Sequence, residues 1–155
     1  MRDLLYNEDE RVRRFVNALN GRATDFGPSQ AIGVMLDGDL VAGIVYNQFR
    51  GYDLSMHVSA SSPKWCSRKI VGTLLAYPFV GLGCVRVTAT IAASNDRARK
   101  LLRQLGFHVE GLHTLAWEGR EDALSFGMTR ADAARWVGAL RGEDGQEFPE
   151  HARAA

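Results

Sequence analysis

Hydrophobic and polar positions in this chain change period several times, and each change marks an element. Between Glu8 and Leu19 apolar residues return every three or four positions, with Val12, Phe15, Val16 and Leu19 on one side. That spacing predicts an amphipathic helix ending near Gly21. Residues 22–28, RATDFGP, carry no period and read as loop. From Ala31 the alternation suits extended chain: Ala31 to Leu36, a turn at Asp37-Gly38-Asp39 and a return from Leu40 to Phe49 predict a hairpin. After Arg50-Gly51, the stretch Tyr52 to Ala60 sets Tyr52, Leu54, Met56 and Val58 on one face and Asp53, Ser55, His57 and Ser59 on the other. Three antiparallel strands in series are expected.

The second half alternates helix with strand. Ser61-Ser62-Pro63 opens a helix running to about Phe79, with Ile70, Val71, Leu74, Leu75 and Tyr77 buried and Pro78 forcing an irregular last turn. A strand follows from Val85 to Ala92. Next comes a short helix that Asn95 caps and Gly106 stops, its apolar stripe being Ala98, Leu101, Leu102 and Leu105. Strands from Phe107 to Trp117 and Ala123 to Met128 flank a polar turn at Glu118–Glu121, and a helix from Arg130 to Leu140 closes the pattern. A strand, helix and further strand make a right-handed crossover, so strands 52–60 and 85–92 are expected as parallel neighbours. The fold class is α/β (α+β): one mixed sheet, antriparallel strands first and a parallel pair across the crossover, flanked by helices. A ligand suits the junction of the two patterns.

Composition narrows the classes. A chain of 155 residues fits one domain, taken as 1–141, with a polar, Gly-containing tail at 142–155. The formal net charge of +1 offers no bulk attraction for a polyanion, so a nucleic-acid partner is not expected. No segment has the length of a signal peptide core or a membrane span. Cys66 and Cys84 make neither a disulfide framework nor a metal quartet, and a reducing cytoplasm is the simplest setting. Metal spacing, a P-loop and a Ser-His-Asp order are all missing.

The run from Ala93 to Gly111, ASNDRARKLLRQLGFHVEG, resembles the second half of the acetyl-CoA-dependent GNAT acyltransferases. The order of elements and the closing hairpin from Trp117 to Arg130 extend the likeness to about residues 30–130. Leu74-Leu75-Ala76-Tyr77-Pro78-Phe79 followed by Leu82-Gly83 is most similar to the branch that acetylates protein N-termini and related small substrates. The resemblance implies a GNAT-type sheet whose parallel pair splays, with the pantetheine arm of acetyl-CoA between strands 52–60 and 85–92. It implies direct acetyl transfer to a primary amine of an unidentified protein, peptide or small-molecule acceptor. A non-catalytic acyl-CoA-binding or protein-interaction module of the same fold is the alternative.

Site residues follow from that likeness. The family's phosphate turn, Arg/Gln-x-x-Gly-x-Gly/Ala, falls on Ser62 to Ser67, SPKWCS, where Trp65 replaces the central glycine and Ser67 keeps the small end. The amides of Trp65, Cys66, Ser67, Arg68 and Lys69 remain candidates for the diphosphate, with Lys64, Arg68 or Lys69 adding charge and Trp65 pointing away or covering the cofactor. Asn95 caps its helix and, by resemblance, also binds the pantetheine arm. Arg97 and Arg99 either meet the 3′-phosphate of CoA or form a solvated face. Where many relatives carry a tyrosine acid, this chain has Leu102. Val58 and Ser59 are the candidate oxyanion donors. His57 is the first candidate for the base, with Asp53 and Glu110 as runners-up; a histidine satisfied within the fold is the other reading of His57. Tyr46 and Tyr52 either line an acceptor pocket or pack the hairpin end onto the first helix. The end strand and Trp136 are compatible with a homodimer.

Overall fold

The computed structural model describes residues 1–138, so the end of the helix expected to reach Leu140 and the tail expected at 142–155 lie outside the described residues. The elements are β1 (Arg2–Leu5), α1 (Asp9–Asn20), β2 (Ser29–Leu36), β3 (Asp39–Asn47), β4 (Ser55–Ala60), α2 (Arg68–Ala76), β5 (Arg86–Ala92), α3 (Asp96–Leu105), β6 (His108–Trp117), β7 (Glu121–Thr129) and α4 (Arg130–Val137). One sheet holds all these strands in the order β1-β2-β3-β4-β5-β7-β6. Only β4 and β5 run parallel. The mixed sheet with its antiparallel first half is therefore as the periods indicate.

Three local departures have physical causes. The strand β1 pairs antiparallel with β2, yet its four residues are too few to display a period. The helix expected from Pro63 to Phe79 is broken: a 3₁₀ turn at Pro63–Trp65, then extended Cys66, then α2, then a π-type turn at Tyr77–Gly81. Trp65 turns into the core, at 4% exposure, and Ser67 starts a new helix by accepting a hydrogen bond from the Ile70 N–H at 3.2 Å. The strand expected from Tyr52 begins at Ser55, because Gly51 bends the chain at φ +86° and Asp53 is drawn into ion pairs.

The core has two parts. Val12 and Val16 of α1 pack with Phe26, Ala31 and Val45 on one face of the sheet. On the other, α2, α3 and α4 cover a larger cluster around Ile44, Leu74, Leu75, Phe107 and Phe126. Gly33 and Gly43 are partners across β2 and β3 and let α1 approach closely. A Cβ added at Gly43 would sit 2.7 Å from Val16 Cγ2 and 3.0 Å from Val12 Cγ1. Gly43→Ala is expected to destabilise the protein by about 1–3 kcal/mol through overpacking. Urea unfolding midpoints check this, and an unchanged midpoint would contradict the close approach.

Candidate functional site

The parallel pair is joined at one end only. Val85 and Arg86 N–H donate to the Tyr52 carbonyl at 2.9 and 3.3 Å, and Thr88 N–H donates to the Leu54 carbonyl at 2.9 Å. Ser55 opposite Thr88 is the sole register position of the pair. Beyond it β3 holds β4 from Asn47–Ser55 to Ala42–Ala60, and β7 holds β5 from Arg86–Thr129 to Ala92–Ala123. Each strand follows its own neighbour, and a gap opens between them toward the ends from which α2 and α3 begin.

Successive peptide groups of a strand face opposite edges. Tyr52 and Leu54 use their carbonyls toward β5, so Val58 and Ala60 face the gap in turn, while the Ser59 peptide faces β3. Of Val58 and Ser59, only Val58 has its peptide turned toward the gap. Ser59 is corrected to a wall residue whose hydroxyl donates to Asn20 Oδ1 at 3.1 Å. On the opposite side the same alternation turns Thr90 and Ala92 toward the gap. These unpaired peptide edges would suit a ligand arm that itself carries amides.

A cavity of about 530 Å³ occupies this gap. Met56 and Val58 form one wall, Ala89 to Ala92 another, and Ala98, Leu101, Leu102 and Leu105 of α3 a third. Arg22, Phe26, Trp117 and Glu118 line it as well. Arg22 Nε lies 3.1 Å from Glu118 Oε1 and its guanidinium stacks 4.6 Å from the Trp117 ring.

His57 lies on the cavity wall. The Nδ2 of Asn47 donates to the Phe26 carbonyl at 3.0 Å, which leaves Asn47 Oδ1 to accept from His57 Nε2–H at 2.9 Å. The ring is thus held as the Nε2–H tautomer, with Nδ1 as its basic nitrogen. Burial, reinforced by the Arg22 charge, pushes the His57 pKa down to about 4, so the imidazole is neutral at pH 7. Phe26 meets it edge-on, with ring centroids 5.2 Å apart.

Asp53 and Glu110 are not on the cavity wall. The Asp53 side chain, 3% exposed, pairs with Arg50, lies 3.6 Å from Arg86 Nε and accepts from Thr88 Oγ1 at 3.1 Å. Arg86 in turn holds Glu110 at 2.6 Å, and the Glu110 carboxylate fills the space over Gly127 that a Cβ would need. Both runner-up bases are thereby corrected to members of a clamp at the closed end of the gap.

Other sequence candidates are similarly sorted. Asn95 lines the cavity and caps α3 through Oδ1, which accepts from Ala98 N–H at 3.1 Å, leaving Nδ2 for a ligand. Trp65 is in the core and does not block the gap. Arg68 donates to the Arg135 carbonyl at 3.0 Å and stacks on Trp136 at 5.6 Å, so Lys64 and Lys69 are the exposed basic groups left at the α2 start. Arg97 is exposed on α3, whereas Arg99 folds back onto the Ala93 carbonyl, within 3.9 Å of Asp96. Tyr46 is a correction: it is fully buried, donates to the Leu74 carbonyl at 2.8 Å and packs T-shaped on Tyr77, away from the cavity. Tyr52 is exposed, 5.6 Å beneath Arg50. Asn47, Arg22 and Glu118 were not singled out by the sequence pattern, since their roles depend on contacts between distant segments.

Among the described residues no helix is long and apolar enough to cross a membrane. No protein-family model and no curated protein matches the sequence. Solved structures do. Mutant forms of the spermidine/spermine N-acetyltransferase SpeG from Vibrio cholerae superpose with a TM-score of 0.70 at 16% identity, over 87% of this chain and 98% of that one. The dodecameric spermidine N-acetyltransferase from Vibrio cholerae gives 0.68 at 15% identity, over 89% and 97%. A protein described as a probable acetyltransferase gives 0.63 at 14% identity, over 84% and 94%. Similarity at this level of identity is one of fold.

Proposed function

On the premise that this chain has the GNAT fold, we propose that it is an N-acetyltransferase that moves the acetyl group of acetyl-CoA directly to a primary amine. The observation that carries this reading is the gap between β4 and β5, open past Ser55 and Thr88 and backed by a cavity of about 530 Å³. Its unpaired peptide edges fit an amide-bearing arm, and Asn95 Nδ2 stands beside them for a further hydrogen bond. The first-turn amides of α2, at Arg68 and Lys69, together with the Lys64 and Lys69 side chains, are the groups for the diphosphate. Bound there, acetyl-CoA supplies an acyl carbon activated as a thioester.

The chain's own residues do the rest. The Val58 N–H faces the gap, placed to donate to a carbonyl oxygen that gains negative charge. His57 Nδ1, neutral and held in one tautomer, takes the proton that the attacking amine releases. Leu102 forms apolar wall where a tyrosine would donate to the leaving sulfur, so water is the proton source for the thiol. The SpeG proteins from Vibrio cholerae are named for acetylation of the amines spermidine and spermine, which supports an amine acceptor here. Both cysteines are free, in keeping with a cytoplasmic setting. One of these solved structures is dodecameric, and the exposed Val109, Leu112 and Leu115 on edge strand β6 offer this chain a face for homo-oligomers. The likeness of Leu74 to Gly83 to the branch acetylating protein N-termini leaves the acceptor amine itself open.

Thermal unfolding with acetyl-CoA at a hundredfold excess over its dissociation constant is expected to show about 2.7 kcal/mol of stabilisation. For a chain of this size that is roughly 5–10 °C. No shift would remove both the transferase and the acyl-CoA-binding module. A shift without thiol release across a panel of amines would leave the module reading alone.

A further inference from the structure

The wall of the cavity carries an ion pair that bears on which amines can bind. Among the residues lining the cavity the titratable groups are Arg22, His57 and Glu118. His57 is tied to Asn47 as the neutral tautomer, and the single carboxylate, Glu118, is already paired with Arg22 at 3.1 Å. The two features that would hold an organic cation here are the Glu118 carboxylate and the face of Trp117. Both are filled from within, because the same Arg22 guanidinium that meets Glu118 stacks on Trp117 at 4.6 Å and is further anchored to Thr24 Oγ1 at 3.1 Å. Of the other acids near the cavity, Asp53 and Glu110 are committed to Arg86 at the closed end of the gap, Glu121 Oε1 accepts from the Ser94 N–H at 3.1 Å and Asp25 Oδ1 accepts from the Gly27 N–H at 2.8 Å.

An alkylammonium entering the cavity would therefore lose its hydration with no unpaired carboxylate among the described lining residues to meet it, and would approach the positive Arg22. An uncharged amine meets no such penalty. The walls it would touch include Phe26, His57 and Met56, which suit a flat, apolar molecule. Resting on the N-acetyltransferase reading, we infer that the acceptor is a weakly basic amine that is uncharged at neutral pH, of the arylamine class, and that Arg22 enforces this choice by occupying the cation site. In the transfer the amine nitrogen bonds to the acyl carbon as the carbon–sulfur bond breaks. The sulfur keeps the bonding pair, and one proton leaves the nitrogen for His57 Nδ1 and passes through water to the sulfur. The products are an N-aryl acetamide and the free thiol.

The test compares 4-methylaniline, phenethylamine and spermidine as acceptors by thiol release from acetyl-CoA at pH 7, after binding of acetyl-CoA has been established by thermal shift. The expected result is a kcat/KM for 4-methylaniline at least tenfold above either alkylamine. In Arg22→Ala, which frees Glu118 and the Trp117 face, the phenethylamine to 4-methylaniline ratio is expected to rise tenfold or more. Adding Glu118→Gln to that variant is expected to bring the ratio back down. A wild-type preference for spermidine or phenethylamine, or a ratio that Arg22→Ala does not move, overturns this inference while acetyl transfer stands. Binding of acetyl-CoA without turnover of any of the three amines overturns it together with the transfer reading. Failure of acetyl-CoA to bind removes the whole functional proposal.

Discussion

Asp53→Ala is expected to lower the melting temperature by roughly 5–10 °C, corresponding to about 2–3 kcal/mol for a chain of this size. The carboxylate is 3% exposed and is the common partner of Arg50, Arg86 and Thr88 at the point where β4 and β5 are joined. Its removal strands the Arg86 charge, itself 32% exposed, and loosens the end of the gap that holds the two strands at a fixed separation. The expected loss falls below that of a wholly buried pair, because Arg86 keeps some contact with water and retains Glu110. Turnover measured well below the melting temperature is expected to stay within a few-fold of wild type. A hundredfold fall in kcat with an unchanged melting temperature would instead make Asp53 the base and sink its assignment as a clamp.

The second large effect concerns His57. His57→Ala is expected to lower kcat by about 100-fold, the lower end of what a positioned base contributes, because a group with a pKa of about 4 is a weak base. Wild-type kcat/KM for an uncharged amine is expected to hold level through neutral pH and fall only near pH 4, well below the ordinary histidine range. The same depression has a consequence for stability. The folded pKa lies below the unfolded value of about 6.5, so the unfolded chain takes up its proton first as the pH drops. The stabilisation is full above about pH 6.5 and is lost as the pH falls toward 4, amounting to about 3 kcal/mol. His57→Gln should flatten the dependence of urea stability on pH across that window. Unaltered turnover in His57→Ala would leave the ring a purely structural partner of Asn47.

These two residues show how differently a site can be written in a chain. His57 was found because strict alternation puts it on a strand beside the expected junction, and the structure does place it on the cavity wall. Asp53 sits on the same face by the same rule, yet the chain bends at Gly51 and joins β5 through Tyr52 and Leu54. That bend carries its carboxylate to the closed end. Glu110 shares the outcome, because a bulge in β6 at that position directs it over Gly127 toward Arg86. Periodicity assigns a face but not a place along the gap.

Local rules were enough wherever a signal is short-ranged. The cap at Asn95, the left-handed stop at Gly106 with φ +105°, the hairpin of β2 and β3 and the irregular turn at Pro78 all follow from interactions within about a turn of chain. Element order together with crossover handedness also makes the mixed sheet and its parallel pair legible in the sequence. Tertiary structure alone decided that the pair is joined at a single register, that Tyr46 and Trp65 belong to the core, and that Arg22 spans to Trp117 and Glu118. The physical reason is that these outcomes are settled by competition between distant partners: β3 and β7 each hold one strand of the pair, apolar burial draws the two large rings inward, and an ion pair closes between segments about a hundred residues apart.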